Sequence, residues 1–274
     1  MPISLFDSET CLEKALSHVE VDQFLRRLGL TRQNPDIAFL RQLVRAHYAQ
    51  IPFQNLTMLV RPRRPPSWDE IAEDMLSGLG GLCTTINPFF CALLHRLGFE
   101  PCLLSSAMTG VRDCHIALGV RFGGRLAWVD LANGFPYLEP LFIDCDKEQF
   151  FAGFHYRIER QGSHLNIWQD QLGTSHTRLN QTITLKAVAY SHFETMRECH
   201  HTQPGFGPFL TGIRVNRWES DQGFILRDRL VGGFPVKWAR LSTQRIVTWL
   251  NNWFSDPRLS GLYLQALTCL SGVA

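Results

Sequence analysis

The stretch GGLCTTINPFFCALLHRLG, residues 80–98, predicts a tight turn that leads directly into a buried helix. Its double glycine permits close backbone approach, and the apolar residues that follow recur at helical spacing until Gly98 ends the pattern. Cys83 therefore lies where the turn becomes the helix. The positive end of a helix dipole favours a thiolate there, so Cys83 is the candidate nucleophile among the eight cysteines of the chain.

A second segment, HIALGVRFGGRLAWVD at residues 115–130, predicts a β-hairpin around its two central glycines. This turn places Ala117 opposite Asp130. Because strand side chains alternate, His115 is then a diagonal neighbour of Asp130 at roughly 7–8 Å, within reach of its imidazole. The alternative is an exposed hairpin in which the two side chains never meet. A cysteine, a base and a carboxylate that orients the base form the general arrangement of an activated nucleophile.

The segment IPFQNLTMLVRPRRPPSWDEIAEDMLSGLGGLCTTIN, residues 51–87, resembles the arylamine N-acetyltransferases, whose pattern there is P-F-E-N-L, a helix and R-G-G-x-C-x-E-x-N. The resemblance continues through LHRLGFE, through the histidine and through VDLANGFPYLEPL, which is similar to D-V-G-F-G…PL, and it weakens after about residue 145. It implies that Cys83 is the acylated nucleophile, His115 the base and Asp130 the residue that orients the base.

The same resemblance implies an α+β fold with an N-terminal helical bundle, a central β-barrel and a C-terminal α/β lid, and a Cys-His-Asp triad like that of cysteine proteases. The predicted elements divide accordingly. Residues 1–98 are mostly helical and carry the nucleophile, and residues 99–205 contain short alternating runs and carry the histidine and aspartate. Residues 206–274 combine a second hairpin, around Glu219 to Gln222, with two helices.

Three positions depart from the family pattern. Leu79 replaces the arginine before the double glycine, and Thr85 replaces an acidic or amide residue two positions after the cysteine. Because an orphaned buried charge is costly, we expect these two losses to be a paired change. Asn133 replaces the aromatic residue of D-V-G-F-G, next to the retained Gly134. These four residues are the expected substrate-binding positions.

Composition excludes several other classes of protein. A formal net charge of +2 over 274 residues gives no case for nucleic acid or an anionic membrane as partner. No apolar run is long enough to span a bilayer, and the N-terminus lacks the pattern of a signal peptide. Eight cysteines without framework spacing indicate reduced thiols and a cytoplasmic location. The basic run at residues 61–66 is expected to be a solvated loop, although it could meet coenzyme phosphates or the acidic face of a carrier protein.

Other chemistry receives little support. Cys199, His200 and His201 are adjacent, but adjacent ligands alone do not make a tetrahedral metal site, so a surface turn and no metal are expected. The chain contains no C-x-x-C, H-E-x-x-H or G-x-x-x-x-G-K motif. Alternation along the strand predicts that Cys114 faces away from its neighbour His115.

The predicted reaction is acyl transfer from a thioester, on coenzyme A or a carrier protein, to an amine through an acyl-Cys83 intermediate. The resemblance implies acetyl-CoA or another acyl thioester as co-substrate, an arylamine-type acceptor and no permanently bound cofactor. A second candidate function is that of an amide synthase, which releases a polyketide or peptide chain from an acyl carrier protein in antibiotic biosynthesis. A cysteine hydrolase and a non-catalytic binding module are the third and fourth candidate functions.

Overall fold

Residues 14–98 are mostly helical in the computed structural model, which describes residues 14–108, 110–144, 148–151, 153–171, 176–220, 222–233, 237–254 and 256–272. Side chains cap three of these helices. Ser17 and Ser67 each form a complete capping box with a glutamate three positions later, and Asp36 accepts a hydrogen bond from the first turn of its helix. The helices are α1 (His18–Arg27), α2 (Ile37–Gln50), α3 (Leu56–Val60), α4 (Trp68–Ser77) and α5 (Cys83–Arg96).

An antiparallel sheet of eight strands packs against α5, with the order β5-β4-β3-β2-β9-β8-β7-β6. Its central hairpin has the predicted register, because Phe122 pairs with Arg125 and Leu118 with Val129. The terminal strands β5 and β6 do not pair with each other in the described ranges, so the sheet is a curled half-barrel and not the closed barrel that was expected. The strands are β2 (Glu100–Met108), β3 (Val111–Phe122), β4 (Arg125–Val129), β5 (Leu141–Phe142), β6 (Gln149–Phe151), β7 (Phe154–Gln161), β8 (His164–Gln171) and β9 (Arg178–Val188).

A smaller antiparallel sheet of five strands, ordered β1-β10-β11-β12-β13, lies beside the C-terminal helices. The predicted second hairpin is confirmed, since Glu219 pairs with Gln222. A short 3₁₀-helix (Tyr190–Phe193) and α6 (Glu194–Thr202) precede it. The remaining elements are β1 (Phe53–Gln54), β10 (Arg214–Glu219), β11 (Gln222–Arg227), β12 (Leu230–Gly232), β13 (Ala239–Arg240), α7 (Thr243–Trp253) and α8 (Arg258–Ser271).

Two main apolar clusters hold these layers together. The larger one joins the N-terminal helices to the half-barrel through α5, in which every residue from Cys83 to Leu94 is buried. The second lies between the small sheet, α7 and α8, and it includes Leu56 and Leu79 from the N-terminal segment. Because β1 and α3 also contact elements of residues 206–274, the three-segment division of the chain stays a prediction. Across the described ranges no helix combines the length and apolar character needed to cross a membrane.

Candidate active site

Cys83 occupies the first position of α5, and 4% of its surface is exposed. The preceding residue, Leu82, has an extended backbone and offers no side-chain cap to the helix. The first N–H groups of a helix carry its positive partial charge. The sulfur therefore lies at the positive end of a helix of 14 residues, as the sequence predicted.

The double glycine before Cys83 is required by close contact with the segment that forms β1. A Cβ atom on Gly80 would lie 2.0 Å from the carbonyl oxygen of Pro52, and Gly80 has a φ of +70°. The N–H of Gly81 donates to that same oxygen at 3.3 Å, and its carbonyl accepts from the N–H of Gln54 at 2.9 Å. The motifs IPFQNL and GGLC are thus the two sides of one backbone contact, which positions the start of α5.

His115 and Asp130 meet as the hairpin register predicted. The Nε2 atom of His115 lies 2.7 Å from Oδ2 of Asp130, and the two residues are 3% and 0% exposed. The alternative of an exposed hairpin with separated side chains is therefore wrong. The side chain of Cys83 lies close enough to His115 to help raise the pKa of its imidazole. Since Nε2 faces the carboxylate, Nδ1 is the ring nitrogen left free to interact with the sulfur.

The Asp130 carboxylate accepts further hydrogen bonds on both oxygens. Gln181 Nε2 lies 3.0 Å from Oδ2, while Asn87 Nδ2 and the backbone N–H of Ala132 each lie 3.1 Å from Oδ1. Ser106 donates its hydroxyl to Oε1 of Gln181 at 2.7 Å, which fixes the orientation of that amide. A buried carboxylate needs such donors, and here α5, β9 and β2 set its position.

His115 and Asp130 each stabilise the charged form of the other. Burial alone lowers the pKa of His115, but the Asp130 carboxylate and the Cys83 side chain, through charge and hydrogen bonding, raise it well above 6.5. Burial alone raises the pKa of Asp130, but the charge and hydrogen bond of His115 outweigh this effect, so the carboxyl has a lowered pKa. At neutral pH a charged imidazolium therefore lies between a carboxylate and the sulfur.

A cavity of about 330 Å³ opens beside Cys83 and His115. Asn133 and Gly134, two of the four predicted substrate-binding residues, line it. The Nδ2 atom of Asn133 lies 3.4 Å from Oδ2 of Asp130, and its Oδ1 is buried without a partner in the described structure. Aromatic and basic side chains that the sequence analysis did not single out complete the wall: Phe53, Phe135, Phe206, Phe209, Arg214 and Arg227.

Leu79 and Thr85, the other two predicted substrate-binding residues, do not line this cavity. Leu79 packs in the second apolar cluster, and its carbonyl accepts from the buried Gln54 side chain at 3.3 Å. Thr85 packs against the turn, where a Cβ on Gly81 would lie 2.7 Å from it. Both residues support the turn before Cys83, and their contact with substrate stays a prediction. Local spacing gave no information on which side of the turn they face.

Cys114 lines the same cavity as Cys83, contrary to the predicted alternation. The register of β2 with β3 shifts between Ser106 and Met108, and Asp113 has a φ of +50°. A β-bulge of this kind breaks the two-residue period of side-chain direction. The backbone N–H of Met108 donates to the Cys114 sulfur at 3.3 Å.

His200 is a second cavity residue that the sequence analysis misplaced. It lies on α6, not in a surface turn, and is 4% exposed. Its Nε2 donates to the carbonyl of Cys114 at 3.1 Å, and Nδ1 has no partner among the described atoms. Burial lowers the pKa of His200 to about 4, so the ring is neutral and Nδ1 is an acceptor. The described residues contain no group of three or more histidine, cysteine or acidic side chains placed to hold a metal.

Comparisons with known proteins agree on one family. A family model for N-acetyltransferases matches residues 36–233, which is more than half of the chain. An arylamine N-acetyltransferase of Mycolicibacterium smegmatis is 28% identical, with 77% of this chain and 81% of that protein covered. The solved structure of the Salmonella typhimurium arylamine N-acetyltransferase has a TM-score of 0.81 at 18% identity and covers 94% of this chain and 100% of its own. The Mycobacterium marinum arylamine N-acetyltransferase in complex with CoA has a TM-score of 0.81 at 19% identity, and the match covers 93% of this chain and 99% of that one. These solved structures share the mixed α/β fold with its curled sheet.

Proposed function

The chain belongs to the arylamine N-acetyltransferase family and is an acyltransferase, and we propose that it transfers its acyl group through an acyl-Cys83 intermediate. The observation that carries this mechanism is the buried contact of Cys83 with His115 and of His115 with Asp130, beside an aromatic-lined cavity. A thiolate, a base and a residue that orients the base are the components of nucleophilic catalysis by cysteine.

In the first half-reaction, His115 holds the proton released by Cys83, and the thiolate attacks the carbonyl carbon of the acyl thioester. A bond forms between this sulfur and the acyl carbon. The bond from that carbon to the donor sulfur breaks, and the departing thiolate takes the proton from His115. The imidazole is then neutral and faces the acyl-Cys83 thioester.

In the second half-reaction, the nitrogen of an amine attacks the acyl carbon on Cys83. His115 accepts the proton that the amine loses, and the bond between the acyl carbon and the Cys83 sulfur breaks. The product is an amide, and the enzyme regains its thiolate and imidazolium. Asp130 holds the imidazole with Nδ1 directed at the sulfur throughout, and its charge stabilises the protonated ring.

We propose acetyl-CoA as the acyl donor and an arylamine as the acceptor, with no resident cofactor. The CoA present in the Mycobacterium marinum structure supports this donor. An acidic carrier protein would need unpaired cations on the enzyme surface where it docks. The basic run at residues 61–66 supplies fewer unpaired arginines than its sequence suggests. Arg61 pairs with the buried Asp74 at 2.6 Å and Arg64 with Glu70 at 2.7 Å. The acetyl-CoA reaction is therefore preferred to that of an amide synthase.

Two organisational predictions accompany this mechanism. Residues 206–274 are proposed to act as the lid, because Arg214 and Arg227 contribute to the cavity wall. A cytoplasmic location is proposed because Cys83, Cys114, Cys199 and Cys269 are free thiols, as a reducing compartment would keep them.

Intact-protein mass spectrometry after incubation with acetyl-CoA tests the intermediate. We expect the wild type to gain one acetyl group, Cys83→Ala to gain none, and the control Cys269→Ala, an exposed cysteine on α8, to behave as wild type. Addition of an arylamine should discharge the adduct as an amide. Discharge by water at the same rate would favour the hydrolase, and turnover by Cys83→Ala would refute the intermediate. Acylation by a carrier-protein thioester but not by acetyl-CoA would favour the amide synthase, whereas no adduct with any thioester would favour a binding module.

A further inference from the structure

Two arginines on the cavity wall take no part in the proposed acyl-transfer steps. Arg214 on β10 and Arg227 on β11 are direct cross-strand partners, and both line the cavity that contains Cys83. Directly opposite residues of an antiparallel pair share a face, and like charges in that position destabilise the sheet. The fold therefore keeps an unfavourable pair of cations at this one wall.

The charges around this pair do not balance within the described part of the chain. Asp228, with 58% of its side chain exposed, lies 3.6 Å from Nη1 of Arg214. One of its oxygens also accepts from the N–H of Ile213 at 2.7 Å. No described carboxylate lies within ion-pair distance of Arg227. Burial and the nearby charge of Arg214 lower the pKa of Arg227 to about 10, which leaves it charged at neutral pH. Two cations therefore share one exposed carboxylate.

Neighbouring polar groups hold both guanidinium groups in place. Nη1 of Arg227 donates to Oδ1 of Asn216 at 2.6 Å, and Nη1 of Arg214 donates to the carbonyl of Ile213 at 2.7 Å. Asn216 also donates to the carbonyl of Gly134 at 2.9 Å, so the residue that positions Arg227 also positions the cavity loop after Asp130. The described contacts use Nη1 of each arginine, and the other donors of each planar fork remain for a ligand. Such forks match the geometry of a carboxylate.

We propose that Arg214 and Arg227 bind a carboxylate carried by the substrate and so make the enzyme selective for acidic substrates. This proposal rests on the proposed function, because the reacting carbonyl must reach Cys83 in the same cavity. The carboxylate has two possible sources. It belongs either to the acceptor, as in an aminobenzoate, or to the acyl group, as in a dicarboxylic acyl thioester. In both cases the anion compensates the excess positive charge of the wall.

Paired substrates that differ by one carboxylate test the proposal. With acetyl-CoA as donor, 4-aminobenzoate is compared with aniline; with aniline as acceptor, succinyl-CoA is compared with butyryl-CoA. We expect kcat/KM for the acidic member, relative to its neutral partner, to fall roughly 10- to 100-fold in Arg214→Gln, Arg227→Gln and the double variant. The pair of substrates that shows this fall identifies the source. The matched control is Arg229→Gln, an exposed arginine that does not line the cavity.

A second measurement does not depend on turnover. Benzoate should slow the alkylation of Cys83 by iodoacetamide in the wild type and should not do so in the double variant, whereas benzyl alcohol should affect both alike. Both glutamine variants should fold, since each removes one member of a repulsive pair, and their thermal midpoints check this.

The proposal is overturned if benzoate protects the double variant as well as the wild type, or if the acidic-to-neutral ratios stay within about twofold. It is also overturned if the double variant only raises KM for every CoA thioester equally, because the arginines would then bind the coenzyme phosphates. Failure of the wild type to acetylate either 4-aminobenzoate or aniline while benzoate protection persists would instead count against the proposed function.

Discussion

Replacing Asp130 by asparagine keeps the shape of the side chain and removes its charge and one acceptor oxygen. In the wild type Oδ2 accepts from His115 and Gln181, and Oδ1 accepts from Asn87 and the N–H of Ala132. The amide NH₂ of an asparagine must face one of these two groups of donors. The side chain is fully buried, so water does not replace the lost acceptor.

The size of the effect follows from the donors that lose their partner. If the NH₂ group faces Ala132, a backbone N–H that is fixed in place is left unsatisfied; if it faces His115, the ring loses the contact that sets its tautomer. A buried donor without an acceptor costs about 1–3 kcal/mol, so we expect at least this loss in the free energy of unfolding. In the Ser-His-Asp triad, the same substitution lowers turnover by about 10⁴-fold, and we expect a loss of roughly 10³- to 10⁴-fold here.

Urea denaturation and steady-state acetyl transfer measure the two effects separately. Asp144→Asn is the matched control, because this exposed carboxylate pairs with Arg125 at 2.8 Å and a surface pair contributes about 0–1 kcal/mol. The control should keep its turnover. If Asp130→Asn stays within about 0.5 kcal/mol and tenfold of the wild type, the carboxylate neither satisfies these donors nor orients His115, and the assignment fails.

Two further predictions concern stability. His47 is fully buried, neither ring nitrogen has a described partner, and burial lowers its pKa to about 3. Because the unfolded chain binds this proton near pH 6.5, acidification from pH 7 to pH 5 should lower the free energy of unfolding by about 2 kcal/mol. In urea titrations, His47→Leu should lose about 2 kcal/mol less stability than the wild type over the same pH range. Gly80→Ala should lower the free energy of unfolding by about 2 kcal/mol or more, because its Cβ would lie 2.0 Å from the Pro52 oxygen at a φ of +70°. The control Gly124→Ala should have little effect, since no atom lies within 4 Å of its Cβ. Equal thermal midpoints for the two glycine variants would contradict this interpretation.

The parts of the site that depend on short spacings could be predicted from the sequence. A two-residue turn fixes the register of the hairpin, so the contact of His115 with Asp130 followed from counting residues. The position of Cys83 followed from the change of a glycine turn into a helical pattern. Alternation failed one residue before His115, because the bulge that turns Cys114 into the cavity has no clear signal in composition.

The remaining wall of the cavity depends on contacts between distant parts of the chain. Asn55 of the IPFQNL motif donates to the carbonyls of Phe209 and Gly212 and accepts from the N–H of Arg214 at 2.7 Å. One N-terminal side chain thus positions the strand that carries a cavity arginine. Periodicity reports which face of a strand is apolar, but not which strand becomes its neighbour. The basic wall could therefore not be predicted until the pairing of β1 with β10 was known.

The side chain of Gln54 on β1 explains how the turn before Cys83 tolerates the loss of the family's charged residues. Gln54, in the position of the glutamate in P-F-E-N-L, is fully buried; its amide nitrogen donates to the carbonyl of Leu79, and its oxygen accepts from the N–H of Thr57. A carboxylate could not donate to that carbonyl, and an arginine in place of Leu79 would enter an apolar cluster. With the neutral Thr85, these residues form a consistent uncharged support in which restoring one charge alone is costly. Because this support lies outside the cavity, the proposed determinants of substrate choice are Asn133 and the arginine pair, which line the cavity wall.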